Sequence, residues 1–292
     1  MTFRIAAAQA APLALGDDRE AFAAHVRTTL TADTAIDLLV YPELHLFHSP
    51  AHSDDERNAA LRASAIDLDG ELVDWLRALA RETATWLIPG SLVERGPGTD
   101  IYNTAIVINP RGDIVATYRK IFPWRPYEPY TPGGEFVVWD IDGVGRFGIS
   151  ICYDAWFPEV SRSLAWMGAD IVINIVKTTT PDRAQETVLA RANSIVNQTY
   201  TVSVNTAGPL GFGDSLIVGP EGEVLSAAAH KNAATLILDF DAAHVRHVRA
   251  VGTAGTNRMW DQFQPTDAPL ALPIYGGRID PSTWAPARTT SN

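Results

Sequence analysis

The chain has 292 residues, 46% of them hydrophobic and 20% charged, which is ordinary globular material with enough length to bury a large core. Its net charge of −11 argues against nucleic acid and anionic membrane surfaces as partners. A single cysteine excludes an intramolecular disulfide and points to a reducing, cytoplasmic setting.

Strand and helix patterns alternate from the start. Gln9 and Pro12 interrupt the alanine-rich opening, so it reads as a first buried strand and not as a leader, and no apolar run is long enough to span a bilayer. Residues 17–32 read as a helix, with Phe22, Val26 and Leu30 at four-residue steps and Asp17 and Asp18 near its start. Residues 37–43 form a short apolar strand ending in the carboxylate of Glu43. A helix over 71–83 presents Leu72, Trp75, Leu76 and Leu79. Strands are expected at 86–92 and 101–108, and Pro110-Arg111-Gly112-Asp113 turns the chain into a strand over 113–120 that ends in the amine of Lys120. The run 144–151 is a further strand, and it delivers Cys152 to the start of a helix. Helices over 158–167 and from Pro181 to about Asn197, and strands over 170–176 and 199–205, complete the pattern. Pro220-Glu221-Gly222-Glu223 repeats the turn design of Pro110-Arg111-Gly112-Asp113. No linker composition breaks the middle of the chain, so residues 1–250 are expected to form one α/β domain, a four-layer α–β–β–α sandwich. From 251 an irregular tail begins, and its Trp260, Phe263, Tyr275 and Trp284 are expected to pack on that domain or on a partner subunit.

Three strand ends carry chemistry. A lone cysteine is by type a small buried hydrophobe, but beside a helix N-terminus a thiol is expected to shift toward thiolate. Groups just past the carboxyl ends of strands converge on one edge of an α/β sheet, so Glu43, Lys120 and Cys152 are expected to meet there. The chain has 20 arginines and only three lysines, Lys120, Lys177 and Lys231, so an ammonium at position 120 stands out. His45, His48 and His52 follow Glu43 in one loop. They lack regular ligand spacing and a second ligand cluster, so the loop is read as a pocket rim and no metal is expected. The glycine-rich stretches at 133–134 and 208–213 lack the strand-to-helix setting of a phosphate loop, and no cofactor is expected.

The order Glu43, then Tyr118-Arg119-Lys120, then Ser150-Ile151-Cys152-Tyr153-Asp154 with Pro158-Glu159 resembles the nitrilase superfamily of carbon–nitrogen hydrolases. Within it, residues 118–128 are similar to the aliphatic amidase and formamidase branch, where the lysine is followed by Pro-Trp and then by a second glutamate. Trp124 and Glu128 stand at those places, while Leu44 stands where the aliphatic amidases have tyrosine. The resemblance implies a homodimer or higher homo-oligomer that cleaves a small linear amide to carboxylic acid and ammonia through a cysteine acyl-enzyme. It implies Cys152 as nucleophile, Glu43 as the group that moves protons, and Lys120 with the backbone N–H of Tyr153 as oxyanion donors. Glu128 would orient the substrate or the thiol, and Trp124 would wall the pocket. The alternative is an N-carbamoyl-amine or N-carbamoyl-amino-acid hydrolase. A nitrilase proper fits less well, because Tyr153-Asp154 and not Trp-Glu follow the cysteine. A scaffold without activity would carry its buried charges to no purpose. Two glutamates near the thiol suggest an electronegative pocket that prefers neutral amides, with Arg125 and Arg183 the only arginines in view to hold a substrate carboxylate.

Overall fold

A computed structural model describes residues 2–32, 35–273 and 276–279. Its apolar strands sort into two main sheets. The first orders β13 (Ala234–Phe240), β1 (Phe3–Gln9), β2 (Leu38–Val40), β3 (Trp86–Ile88), β5 (Ile101–Ile108) and β4 (Ser91–Arg95), with β6 (Ile114–Arg119) also paired to β5. The second orders β12 (Val224–Ala227), β11 (Leu216–Val218), β10 (Tyr200–Asn205), β9 (Ile171–Val176), β8 (Gly145–Ile151) and β7 (Val138–Ile141). Each sheet has a parallel trio at its heart, β1–β2–β3 in one and β8–β9–β10 in the other. Strands covered on both faces read as unbroken apolar runs, and Ile171–Val176 is buried at every position.

The main core lies between the sheets, where Ile5, Val40, Val107 and Tyr118 meet Phe147, Ile149, Ile173 and Val202. Outside the first sheet lie α1 (Glu20–Ala32), α2 (Asp54–Ala63) and α3 (Glu71–Thr83), which bury Phe22, Leu61 and Leu76 with Ala6, Leu39 and Ile106. Outside the second, α4 (Pro158–Trp166) sets Val160 and Leu164 against Val172, and α5 (Arg183–Asn197) sets Ala190 against Leu216 and Val218. The four-layer α–β–β–α sandwich is therefore present. The two hairpin turns also match: Asn109 and Gly219 each donate N–H to the residue four ahead, at 2.9 Å in both cases.

Several elements differ from expectation. The strand foreseen at 86–92 is two strands, because Pro89-Gly90 breaks it and β4 crosses to the far side of β5. The first helix starts at Glu20, since Asp17 and Asp18 accept from the Ala14 and Glu20 N–H groups in the turn before it. Two helices were missed. In α2 only Leu61 is buried, so there is no apolar stripe to read, and Ser53 caps its start. In α6 (Ala242–Val251) only Ala242, Val245 and Val248 are buried among histidines and arginines. In the tail Trp260 is buried against Trp166 of α4, with the Arg162 guanidinium 5.0 Å from its ring. Phe263 is half-buried, and Tyr275 and Trp284 lie outside the described residues.

Candidate active site

Glu43 stands three residues past the end of β2 and is 2% exposed. A buried carboxylate needs donors, and Oε1 accepts from Asn103 Nδ2 at 2.8 Å and from Lys120 Nζ at 3.0 Å. Backbone packing fixes its place. Leu44, at φ +49°, turns the chain and donates its N–H to Ser91 Oγ at 3.0 Å. Gly90 lies against the preceding turn at φ +93°, and a Cβ there would stand 2.1 Å from the Pro42 carbonyl oxygen.

Lys120 follows β6 directly. Its N–H donates to Asn103 O at 2.9 Å, and its carbonyl accepts from Gly133 N at 2.8 Å. A Cβ at Gly133 would meet the Arg119 carbonyl oxygen at 2.2 Å, so this close approach admits only glycine. The ammonium donates to Glu43 and to both oxygens of Glu128, at 3.0 and 2.9 Å. Glu128 also accepts the Trp124 N–H at 2.8 Å, which ties the Trp124–Glu128 loop onto the lysine. Burial works against the Lys120 charge, but Glu128 and then Glu43 outweigh it and hold the ammonium well above the ordinary lysine value.

Cys152 opens a 3-10 turn (Cys152–Trp156) directly after β8, at φ +47°. The left-handed region costs a residue with a Cβ about 1–2 kcal/mol, so the surroundings must hold the turn. Buried Asp154 does so. Its Oδ2 accepts from Ile151 N at 2.9 Å and Tyr118 Oη at 2.7 Å, and its Oδ1 accepts from Phe122 N at 2.9 Å. One carboxylate thus ties the cysteine turn to β6 and to the loop that carries Trp124 and Glu128. Burial raises the Asp154 carboxyl to about 6. As the second residue of its turn, Tyr153 has an N–H without a partner inside the turn.

The expected thiolate is not what the surroundings favour. Cys152 keeps some solvent access, yet burial and then the Glu43 charge push its pKa well above the ordinary value. Lys120 opposes this, and Glu186 and Glu128 add to it. Burial and the three carboxylates together outweigh the ammonium, so these surroundings favour the thiol over the thiolate. Its sulfur lies 3.9 Å from Thr178 Oγ1, and that hydroxyl donates to Glu186 at 2.8–2.9 Å.

Two adjoining lobes form the cavity. The smaller, about 50 Å³, is lined by Cys152, Tyr153, Thr178 and Glu186, and the larger, about 150 Å³, by Glu43, Leu44, Arg57 and Tyr130. Trp124, Glu128, Lys177 and Thr179 line both. The six residues expected from sequence at the site therefore line the cavity or bond to residues that do. Asn103, Asp154, Lys177, Thr178 and Glu186 are additions. Lys177 and Thr178 could have been found by the same strand-end rule, because they are the first residues past β9.

Other expectations need correction. The histidine loop does rim the cavity, but through Leu44, Phe47 and Ser49. His45 is buried against Phe22 and Tyr41, with ring centroids at 5.7 and 4.8 Å, and burial first lowers its pKa to about 3. His52 is exposed. Arg183 is no carboxylate anchor: fully buried, it pairs with Glu186 at 3.0 Å and donates to Ser203 and to the Gly213 and Asp214 carbonyls. Arg125 is exposed and does not line the cavity. Among the described residues, the one group with metal-ligand convergence is Glu221, Glu223 and His244, on a hairpin and α6 and not at the cavity.

Comparison with known proteins gives the family. Residues 4–250 match the carbon-nitrogen hydrolase family. A formamidase of Helicobacter acinonychis (strain Sheeba) is 34% identical over 202 residues, 66% of this chain and 60% of the formamidase, so the chain spans less than two thirds of that relative's length. Saccharomyces cerevisiae Nit3, a member of branch 10 of the nitrilase superfamily, superposes with a TM-score of 0.75 at 25% identity, over 88% of this chain and 96% of that one. A cysteine-to-alanine variant of the amidase from Nesterenkonia sp., in complex with butyramide, superposes with a TM-score of 0.68 at 25% identity, over 85% of this chain and 95% of that one. The fold, the spacing of the three strand ends and the match over residues 4–250 together place this chain in the carbon–nitrogen hydrolase family.

Proposed function

We propose that the protein is an amidohydrolase that cleaves small linear amides to carboxylic acid and ammonia through an acyl-enzyme on Cys152. The observation that carries this reading is an ammonium buried between two carboxylates, Glu43 and Glu128, at a cavity that holds the chain's only thiol. A thiol at rest needs a base at the moment of attack, and Glu43 is the acid whose charge acts most strongly on Cys152. Glu43 takes the thiol proton as sulfur adds to the carbonyl carbon. It returns a proton to the departing amine and then draws one from the water that cleaves the thioester. The Tyr153 N–H and Lys120 hold the oxyanion, one of the two Lys120–Glu128 bonds giving way to it. Donors of this kind are worth about 3–4 kcal/mol each. Glu128 orients the substrate and Trp124 walls the pocket.

The formamidase match and the butyramide-bound amidase support a small amide over a carbamoyl substrate, and no cofactor enters this chemistry. Exposed Val188, Ile195 and Val196 on α5, the helix beside the thiol, support a homodimer or higher homo-oligomer. Among the described residues no helix is long and apolar enough to cross a membrane; with a lone cysteine, a cytoplasmic setting is the proposal. The test is ammonia release from formamide, propionamide and butyramide, with nitriles and N-carbamoyl amino acids in parallel. Cys152-dependent turnover of amides is expected. Turnover confined to the carbamoyl compounds would replace this reading with its alternative.

A further inference from the structure

The larger lobe holds polar groups that the reaction does not use. Lys177 lines both lobes, and its ammonium makes no hydrogen bond or ion pair with any described residue. Tyr130 is 3% exposed, lines the larger lobe, and its hydroxyl has no hydrogen-bond partner. Arg57 lies on the same wall, its guanidinium bonded to Asp54 at 2.8 Å and to the Tyr127 carbonyl at 3.3 Å. A buried hydroxyl without a partner is costly, and the Tyr130 hydroxyl together with the half-buried Lys177 ammonium in one cavity describes the missing partner as an acceptor-rich group. Charge agrees. Glu43 and Glu128 share the single cation Lys120, and Lys177 brings that group of four to neutrality. Burial presses the Lys177 ammonium down to about 8, with Glu43 opposing the shift, so an anion beside it would relieve it.

We infer that the larger lobe receives a carboxylate at the far end of the substrate, held by Lys177 and Tyr130, and that the preferred substrates are half-amides of short dicarboxylic acids. This rests on the amidohydrolase reading. The amide carbon lies at Cys152 in the smaller lobe, and the chain passes Lys177 into the larger. A half-amide plus water then gives the dicarboxylate and ammonium. The lobe of about 150 Å³ sets the limit at a few carbons. It reverses the expectation of an electronegative pocket selective for neutral amides, because the cation that offsets the two glutamates is Lys177 and not an arginine.

The experiment compares kcat/KM for malonamate and succinamate with that for propionamide and butyramide, in wild type, Lys177→Met, Lys177→Arg and Tyr130→Phe. Wild type should favour the half-amides by about tenfold or more. Lys177→Met should lower that ratio by about thirtyfold or more, as removal of one partner of a buried charge pair does. Lys177→Arg should keep part of the preference, and Tyr130→Phe should lose part of it. A ratio indifferent to Lys177→Met, or a wild-type preference for the neutral amides, overturns the inference. Calorimetric binding of succinamate to Cys152→Ala, with and without Lys177→Met, separates the two readings because it needs no turnover. Lys177-dependent binding without turnover of any amide would sink the reaction and keep the lobe. Turnover of neutral amides with binding indifferent to Lys177 would do the reverse.

Discussion

Burial, with the charges of Glu43, Glu186 and Glu128, holds the proton on Cys152 against the pull of Lys120, so its activation is transient and belongs to the encounter with substrate. The ultraviolet thiolate signal, taken as wild type minus Cys152→Ser, should therefore show no step below about pH 9. The sign follows from the shift: a raised thiol pKa holds the proton until the medium is more alkaline than for a free cysteine. A step near neutrality would remove the need for Glu43 as base. Acid quench during turnover should leave one acyl adduct, on Cys152, by intact mass. Cys152→Ala should melt like wild type and lose about a thousandfold or more in kcat. Glu128→Gln should lower kcat about a hundredfold with the fold intact, because it keeps the volume and removes a charge bonded to Lys120. Glu135→Gln is the control, as Glu135 does not line the cavity. Equal losses at both positions would take Glu128 out of the site. At this scale the sequence revealed the groups that end strands and hid those that face them. Lys177 ends a strand as plainly as Lys120 does, yet residues 170–176 read only as a core strand. Asn103 lies inside β5, and nothing in its local pattern points to Glu43.

The elements around the thiol are joined by two buried carboxylates, and their failure modes differ. Asp154 ties β8, β6 and the Trp124–Glu128 loop together through three donors. Asp154→Ala should leave those donors unpaired, at about 1–3 kcal/mol for each, and release the strained turn. Both the melting temperature and kcat should fall, whereas a variant that melts lower but keeps full kcat would show that the turn holds without it. Glu186 ties α5 to Thr178 and is itself held by Arg183. Arg183→Met breaks a buried pair, a change worth about 3–5 kcal/mol. It should lower the melting temperature by about 10 °C in calorimetry, and an unchanged melt would show that the pair adds nothing. This arginine looked available in the sequence because, apart from Glu186 on its own helix, its partners Ser203, Gly213 and Asp214 belong to other segments. The histidine loop misled for a related reason. Its place beside the cavity follows from Glu43, but which side chains face inward depends on the left-handed turn at Leu44, which no spacing announces.

Across the whole molecule, the two-sheet architecture was legible because apolar strands, amphipathic helices and paired hairpin turns all indicate the same layers. What could not be read was pairing at long range: β13 lies antiparallel to β1, with Phe3 opposite Phe240. Such contacts are set by packing over the whole chain and leave no local trace. The same tight packing bears on how this protein tolerates inherited change. Gly90 and Gly133 do not line the cavity, yet an added methyl at either would press on the Pro42 or the Arg119 carbonyl, next door to Glu43 and Lys120. In a library of every single substitution, inactive clones should therefore cluster at these two plain-looking positions as sharply as at the thiol, and sequence drift in the family would be barred there by backbone room and not by chemistry.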